Sequence, residues 1–207
     1  MPSNRERATA IVRQCRREPA AVLREMLRLH RAGEVYVAYE LARAVPAAVG
    51  GADRRQVLAL ARGLDAWSST DCYGWFVGGV AWRGGVLSDK DIAAMAASPD
   101  RWVRRAALVC TVPLNCRARG AGEPDARRTL AVCRLLLDDR DDMVVKALSW
   151  ALRELGRREA GPVRRFLAQH GERVAARVWR EVGNKLSTGL KNPRGRKTAA
   201  LSRSGAA

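Results

Sequence analysis

The chain has 207 residues, 47% of them hydrophobic, and 38 Lys and Arg against 21 Asp and Glu give a formal net charge of +17. The apolar content excludes disorder throughout, and the length suits one domain, or two small ones, with a sizeable core. A charge balance this positive calls for an anionic partner, nucleic acid foremost.

The uncharged stretch from Cys72 to Trp82 is far short of the roughly 20 residues a membrane span needs. The N-terminus carries Arg5, Glu6, Arg7, Arg13, Arg16 and Arg17 without an apolar run, so no secretory signal is expected, and the location is read as cytoplasmic. Cys15, Cys72, Cys110, Cys116 and Cys133 form an odd set without CxxC spacing. That fits reduced, mostly buried thiols better than a disulfide frame or a zinc site. His30 and His170 are isolated, so no metal is expected.

Strand signals are nearly absent, and helical periodicity runs through the chain. Ala8, Ile11, Val12 and Cys15 mark a first apolar stripe, and Val22, Leu23, Met26, Leu27 and His30 a second. Val35, Val37, Leu41 and Val45 mark a third, ended by Pro46 and the Gly50–Gly51 pair. After Val57, Leu58, Ala61 and Leu64, a helix is expected from about Ser68 to Val80, ending near Gly84–Gly85. Ser88 with Asp91 reads as a capping box. Ser98-Pro99-Asp100 reads as a helix start with Pro at the first position. Pro113 to Pro124 reads as a loop. Helices follow at about Asp125–Leu137 and Asp141–Arg157, one opens at Gly161-Pro162, and the last spans about Glu172–Lys185.

Short helices joined by short turns predict an all-α fold, either a helical solenoid or an irregular bundle. A weak repeat favours the solenoid. Trp102-Val103-Arg104-Arg105-Ala106-Ala107 resembles Met143-Val144-Val145-Lys146-Ala147-Leu148, and the register Val37, Asp71, Arg105, Lys146 has spacings of 34, 34 and 41. Those spacings suit paired-helix repeats of the HEAT kind. Equivalent positions would then line one concave, basic face of a C-shaped solenoid able to cradle phosphates. Residues 1–186 are read as this single domain. Residues 187–207 are read as a disordered basic tail with Lys191, Arg194, Arg196, Lys197, Arg203 and no acid.

Six tryptophans stand out among few aromatics. Trp67 and Asp71 share a helical face if one helix holds both. They form either a site or a buried Trp beside a salt-bridged Asp. Arg104 and Arg105 follow Trp102. Arg105, in the repeat register, is the phosphate-contact candidate or else one half of an inter-repeat ion pair. Trp150 lies four residues after Lys146 on the same side, which favours a partly exposed indole, and Arg153 follows one turn later. Trp75, Trp82, Trp102 and Trp179 are read as core.

Asp100-Arg101-Trp102-Val103-Arg104-Arg105-Ala106-Ala107, the stretch from Val145 to Glu154 and Trp67-Ser68-Ser69-Thr70-Asp71 together resemble the signature stretches of the AlkD family of HEAT-like-repeat DNA glycosylases. The resemblance runs from about Arg16 to Val182 and is most specific from Trp67 onward. It implies hydrolysis of the N-glycosidic bond of cationic N3- and N7-alkylated purines in duplex DNA, without base flipping and without a cofactor. It implies Asp71 as catalytic carboxylate, Trp67 and Trp150 as indoles against the deoxyribose, and Arg105 on the phosphate near the lesion. Lys146 would anchor a phosphate too, with Arg104 and Arg153 as further DNA-binding candidates. By the same resemblance the family's first helices are expected to be missing or remodelled, and the Pro113–Pro124 loop to be long. A monomer acting on damaged duplex, with no membrane partner, is the expected state. The other readings are a non-catalytic solenoid that binds damaged or branched DNA, and a protein-interaction scaffold.

Overall fold

The computed structural model describes residues 2–116 and 122–193. Among them are helices α1 (Asn4–Gln14), α2 (Pro19–Arg31), α3 (Val35–Ala44), α4 (Pro46–Gly50), α5 (Arg54–Ala59), α6 (Trp67–Tyr73) and α7 (Gly79–Arg83). There follow α8 (Asp89–Ala96), α9 (Arg101–Val109), α10 (Val112–Asn115), α11 (Ala126–Leu135), α12 (Asp142–Gly156), α13 (Ala160–His170) and α14 (Ala176–Thr188). No strand occurs among the described residues.

The helix starts are set by side chains that accept from the free N–H groups of the first turn. Ser3 with Glu6, Asp53 with Gln56 and Ser88 with Asp91 each close a capping box. Asp100, Asp125 and Asp141 cap α9, α11 and α12. α9 therefore starts at Arg101 on the Asp100 cap, and the expected start with Pro99 at the first helical position is corrected. Pro46 both ends α3 and opens α4, because its missing N–H is tolerated only in a first turn.

The all-α expectation holds, as a helical repeat. α1, α3, α6, α9, α12 and α14 touch in succession and form one row, with α2, α8, α11 and α13 packed behind it. The core between the layers runs from Val22 and Met26 through Val57, Ile92 and Leu108 to Leu148, Leu152 and Val178. Ion pairs tie neighbouring repeats at a recurring separation: Asp71–Arg105 at 34 residues, Arg104–Asp139 and Asp138–Arg173 at 35, Arg54–Asp91 at 37 and Asp89–Arg127 at 38. The period is that of a helix pair. Of the expected register, Asp71 and Arg105 meet directly, while Val37 is buried in the core.

The helix expected over Ser68–Val80 is interrupted. α6 gives way at Gly74–Gly78 to a π-turn, in which the Gly79 N–H donates to the Gly74 carbonyl. Three glycines make this possible. A Cβ on Gly74 would lie 2.7 Å from Val109 Cβ, one on Gly78 2.5 Å from Cys110 Sγ, and one on Gly79 2.3 Å from Pro113 Cγ. The segment thus lies backbone-close against α9 and α10.

The expected Pro113–Pro124 loop opens inside α10, and residues 117–121 of it lie outside the described residues. Residues 187–193 of the expected tail are among the described residues. α14 runs to Thr188, and Asn184 donates to the Lys191 carbonyl at 3.1 Å. The remainder of the tail, from residue 194, lies outside the described residues. All five cysteines are free, and burial raises the Cys110 thiol to about 12.

Candidate functional site

α6 starts at Trp67 after an extended Ala66 and places the indole at the helix mouth, 59% exposed. An exposed tryptophan of this size is uncommon unless it meets something. Asp71 lies one turn further along the same helix. Its carboxylate accepts from Arg105 Nε at 2.9 Å and from Nη2 at 2.8 Å, while Arg105 Nη1 donates to the Met143 carbonyl at 2.6 Å. One guanidinium therefore joins α6, α9 and the first turn of α12. The Arg105 side chain is 7% exposed and that of Asp71 19%. The carboxylate keeps an open edge, and the guanidinium does not.

Burial raises the Asp71 pKa above the ordinary carboxylate value of 3.8, and the hydrogen bonds and positive charge of Arg105 counter part of that rise. A two-pronged pair of this kind uses both oxygens as acceptors, which is the geometry of the ionised acid.

Trp150, on α12, is half-buried, in keeping with its place beside Lys146. Its ring packs at a tilt against that of Trp75, with centroids 5.7 Å apart and planes 31° apart. Trp75 is thus not simply a core residue, and that expectation is corrected. It is half-buried in the π-turn, four residues after Asp71. The stripe Trp67, Asp71, Trp75 is the sequence signal that could have found it. Trp82 does lie in the core, 1% exposed, with its Nε1 donating to Asp89. Trp102 and Trp179 are half-buried against the core. Sequence reasoning misses Tyr36 on α3 as well. It is exposed, and its hydroxyl sits 2.7 Å from that of Ser68, next to Trp67.

The cationic candidates divide sharply. Arg104 Nε donates to Asp139 at 2.7 Å and its Nη1 to the carbonyls of Ser98 and Pro99, so it braces the turn before α9. Arg153 donates to Ser149 Oγ at 3.2 Å beside buried Glu181, and burial lowers its pKa. Of the three arginine candidates, only Arg105 has protein acceptors for Nε, Nη1 and Nη2; Arg104 uses Nε and Nη1, and Arg153 uses Nε. For Arg105 the geometry is that of the inter-repeat ion pair. Lys146 differs. It is 42% exposed and pairs only along its own helix, with Asp142 at 2.6 Å. Arg177 reaches the same Asp142 from α14 at 3.0 Å, and Arg101 stands exposed nearby, paired at 3.6 Å with Asp141. Three accessible cations, Lys146, Arg177 and Arg101, thus stand at the start of α12, near the Arg105–Met143 contact.

Among the described residues, no group of three or more His, Cys, Asp or Glu side chains is placed to hold a metal, and no helix is long and apolar enough to cross a membrane.

Fold and site define a helical-repeat protein with one clamped acid, flanking indoles and a cationic rim. Residues 1–186 match the family described as DNA alkylation repair enzyme, and the chain belongs to that family. No curated protein and no solved structure matches it. Membership assigns alkylation-damage repair on DNA in general terms.

Proposed function

We propose that the protein is a monofunctional DNA glycosylase that hydrolyses the N-glycosidic bond of cationic N3- or N7-alkylated purines in duplex DNA, acting as a monomer on a HEAT-like repeat scaffold without base flipping. The observation that carries this reading is the exposed Trp67 indole one turn from the open edge of the Asp71 carboxylate, which Arg105 clamps.

An alkylated N3 or N7 purine is already positive and leaves readily. The C1′–N bond breaks with its electron pair going to the purine, which departs neutral. The sugar is left with oxocarbenium character, water adds at C1′, and the water's proton passes to solvent. What such a reaction needs is negative charge beside the sugar and a place for the water. Asp71 supplies both. The pair with Arg105 fixes the direction of the carboxylate and leaves lone pairs on its open edge. The faces of Trp67 and Trp150 attract the positively polarised sugar, in the sense of a cation–π contact. Lys146, with Arg177 and Arg101 nearby, holds backbone phosphates. Arg105 serves by holding the acid, while Arg104 and Arg153 hold the helices that carry the site.

The test is release of free base from duplex DNA that carries 7-methylguanine. Release by the wild-type chain, lowered at least about 100-fold in Asp71→Asn, supports the reading. Salt-sensitive binding of duplex without release overturns it in favour of a non-catalytic protein that binds damaged or branched DNA.

A further inference from the structure

We propose that Trp75 is a positioning residue for this site and acts through Trp150. The inference rests on the roles given above to Asp71 and Trp150. It concerns a residue for which neither family membership nor the repeat register assigns any part.

Three observations converge on it. The first is the ring pair itself. Centroids 5.7 Å apart with planes inclined by 31° make a tilted ring contact, within the distance range that aromatic pairs prefer. Both indoles are half-buried, so the pair sits at the border between core and surface. The second is the setting of Trp150. Leu148, Ala151, Leu152 and Leu155 turn the other face of α12 into the core, and Trp150 is left at the edge. An indole at such an edge has more than one staggered orientation open to it. A flat neighbour against its face selects one. Phe76, tilted at 6.5 Å from Trp75, steadies that neighbour in turn.

The third is the backbone that delivers Trp75. In a π-turn each carbonyl accepts from the fifth residue on, which widens the helix and turns the residues after it out of α-helical register. Here that turn covers Gly74–Gly78, immediately after Asp71 has been fixed on Arg105. Gly74 and Gly78 face Val109 and Cys110 at distances that no Cβ allows, so the glycine side of the segment is occupied by α9. Trp75, in the same turn, points elsewhere and meets Trp150 on α12. The same close approach to α9 that puts Asp71 within reach of Arg105 thus carries Trp75 to Trp150. α6 with its π-turn and α12 are linked twice, through Arg105 to the Met143 carbonyl and through the paired indoles. The acid and the Trp150 ring are set by one rigid segment.

The experiment uses the full chain and the variants Trp75→Ala, Trp75→Phe, Trp150→Ala and the double Trp75→Ala/Trp150→Ala. Near-UV circular dichroism reads the ring coupling. The expected result is one band lost in either single alanine variant, with no further loss in the double. Single-turnover release of 7-methylguanine at saturating enzyme reads the positioning. Trp75→Ala is expected to slow it about 10-fold or more, with duplex Kd changed less than about twofold, and Trp75→Phe to recover most of the rate. Unchanged single-turnover rate in Trp75→Ala overturns the proposal, as does a rate loss explained wholly by weaker duplex binding. Additive band losses overturn it also. If the wild-type chain releases no base, the glycosylase reading falls and positioning for that reaction falls with it. The dichroism band then still reports whether the rings are coupled, so the two failures are told apart.

Discussion

Arg105 and Asp71 meet through two parallel hydrogen bonds, of 2.9 and 2.8 Å, between residues 34 apart in the chain. The pair is a fork against a carboxylate, and the third arm of the fork is used on the Met143 carbonyl. It therefore acts on two levels. It joins three successive helices of the repeat row, and it fixes the one acid of the candidate site.

Removing the guanidinium leaves a mostly buried carboxylate and a backbone carbonyl without their donors. Arg105→Ala is expected to cost about 3–5 kcal/mol of folding stability, the range for breaking a buried pair from one side. Arg105→Lys keeps the charge but cannot span the two oxygens and the carbonyl, and is expected to recover only part of it. Urea unfolding of the variants checks this. A loss below about 1 kcal/mol for Arg105→Ala, the range of exposed pairs, would sink the clamp.

The raised pKa of Asp71 sets the sign of two pH effects. On the proposed reaction excision needs the ionised acid, so the rate is expected to fall as pH drops through the folded-state pKa, with the acid limb above the ordinary carboxylate value of 3.8. For folding the sign is opposite. With its folded pKa raised, the acid contributes stability that is fully present below its unfolded pKa, and that stability is lost as pH rises through the folded pKa. Single-turnover rates against pH should show the displaced limb. Asp71→Asn should remove the corresponding decline from a stability-against-pH curve. A limb at or below the ordinary value contradicts the burial argument.

Much of the scaffold is legible in the sequence because its signals are local. The Ser88–Asp91 box and the Asp125 and Asp141 starts follow from single side chains that accept from the first turn of their own helix. The Asp71–Arg105 relation is legible as a spacing, because repeats put equivalent positions side by side. What sequence misses is decided by distant neighbours. Which way Arg104 and Arg153 turn depends on Asp139 and Glu181, residues from neighbouring repeats. The π-turn comes from glycines pressed against Val109, Cys110 and Pro113, and helical periodicity alone carries no mark of that contact. Trp75 reads as core from sequence because its partner lies on α12, far along the chain, although its spacing of four from Asp71 is legible.

On the proposed reading, Lys146 is one of the cations that hold backbone phosphates. Lys146→Ala is expected to weaken binding to duplexes of any sequence and to reduce the slope of log K against log salt by about 1. Its loss leaves Asp142 still paired with Arg177, so folding stability changes little. Salt titrations of wild-type and variant chains measure the slope. An unchanged slope removes Lys146 from the interface, and a comparable slope change in Arg104→Gln would show that Asp139 releases that arginine to DNA.

Asp91 gives a pH effect of the usual sign. The hydrogen bond from Arg54 is the largest cause, with Ser88 adding to it, and together they hold the carboxyl down at about 2. The stability this supplies is present above the unfolded pKa and is lost as pH falls through about 2. Asp91→Asn should flatten the acid end of the stability curve. A curve parallel to wild type between about pH 4 and about pH 2 would show that the pair and the capping box contribute nothing there.

The π-turn is testable at Gly79. A methyl group there would meet Pro113 Cγ at 2.3 Å and two backbone oxygens, those of Cys110 and Gly74, at 2.7 and 2.9 Å. Backbone atoms cannot swing aside as a side-chain tip can, so Gly79→Ala must push the segment off α10. The expected cost is about 1–3 kcal/mol, the range for overpacking. Gly50 is the control. It lies in a helix where an added Cβ would find nothing within 4 Å, so Gly50→Ala is expected to be neutral or to stabilise by about 0.4–1 kcal/mol. Because the π-turn also delivers Trp75, Gly79→Ala should weaken the shared indole band in near-UV circular dichroism while the helical signal in the far-UV is kept. Loss of stability without change in that band would separate the packing of the turn from the placement of the ring, and the link between the glycines and Trp150 would then be broken.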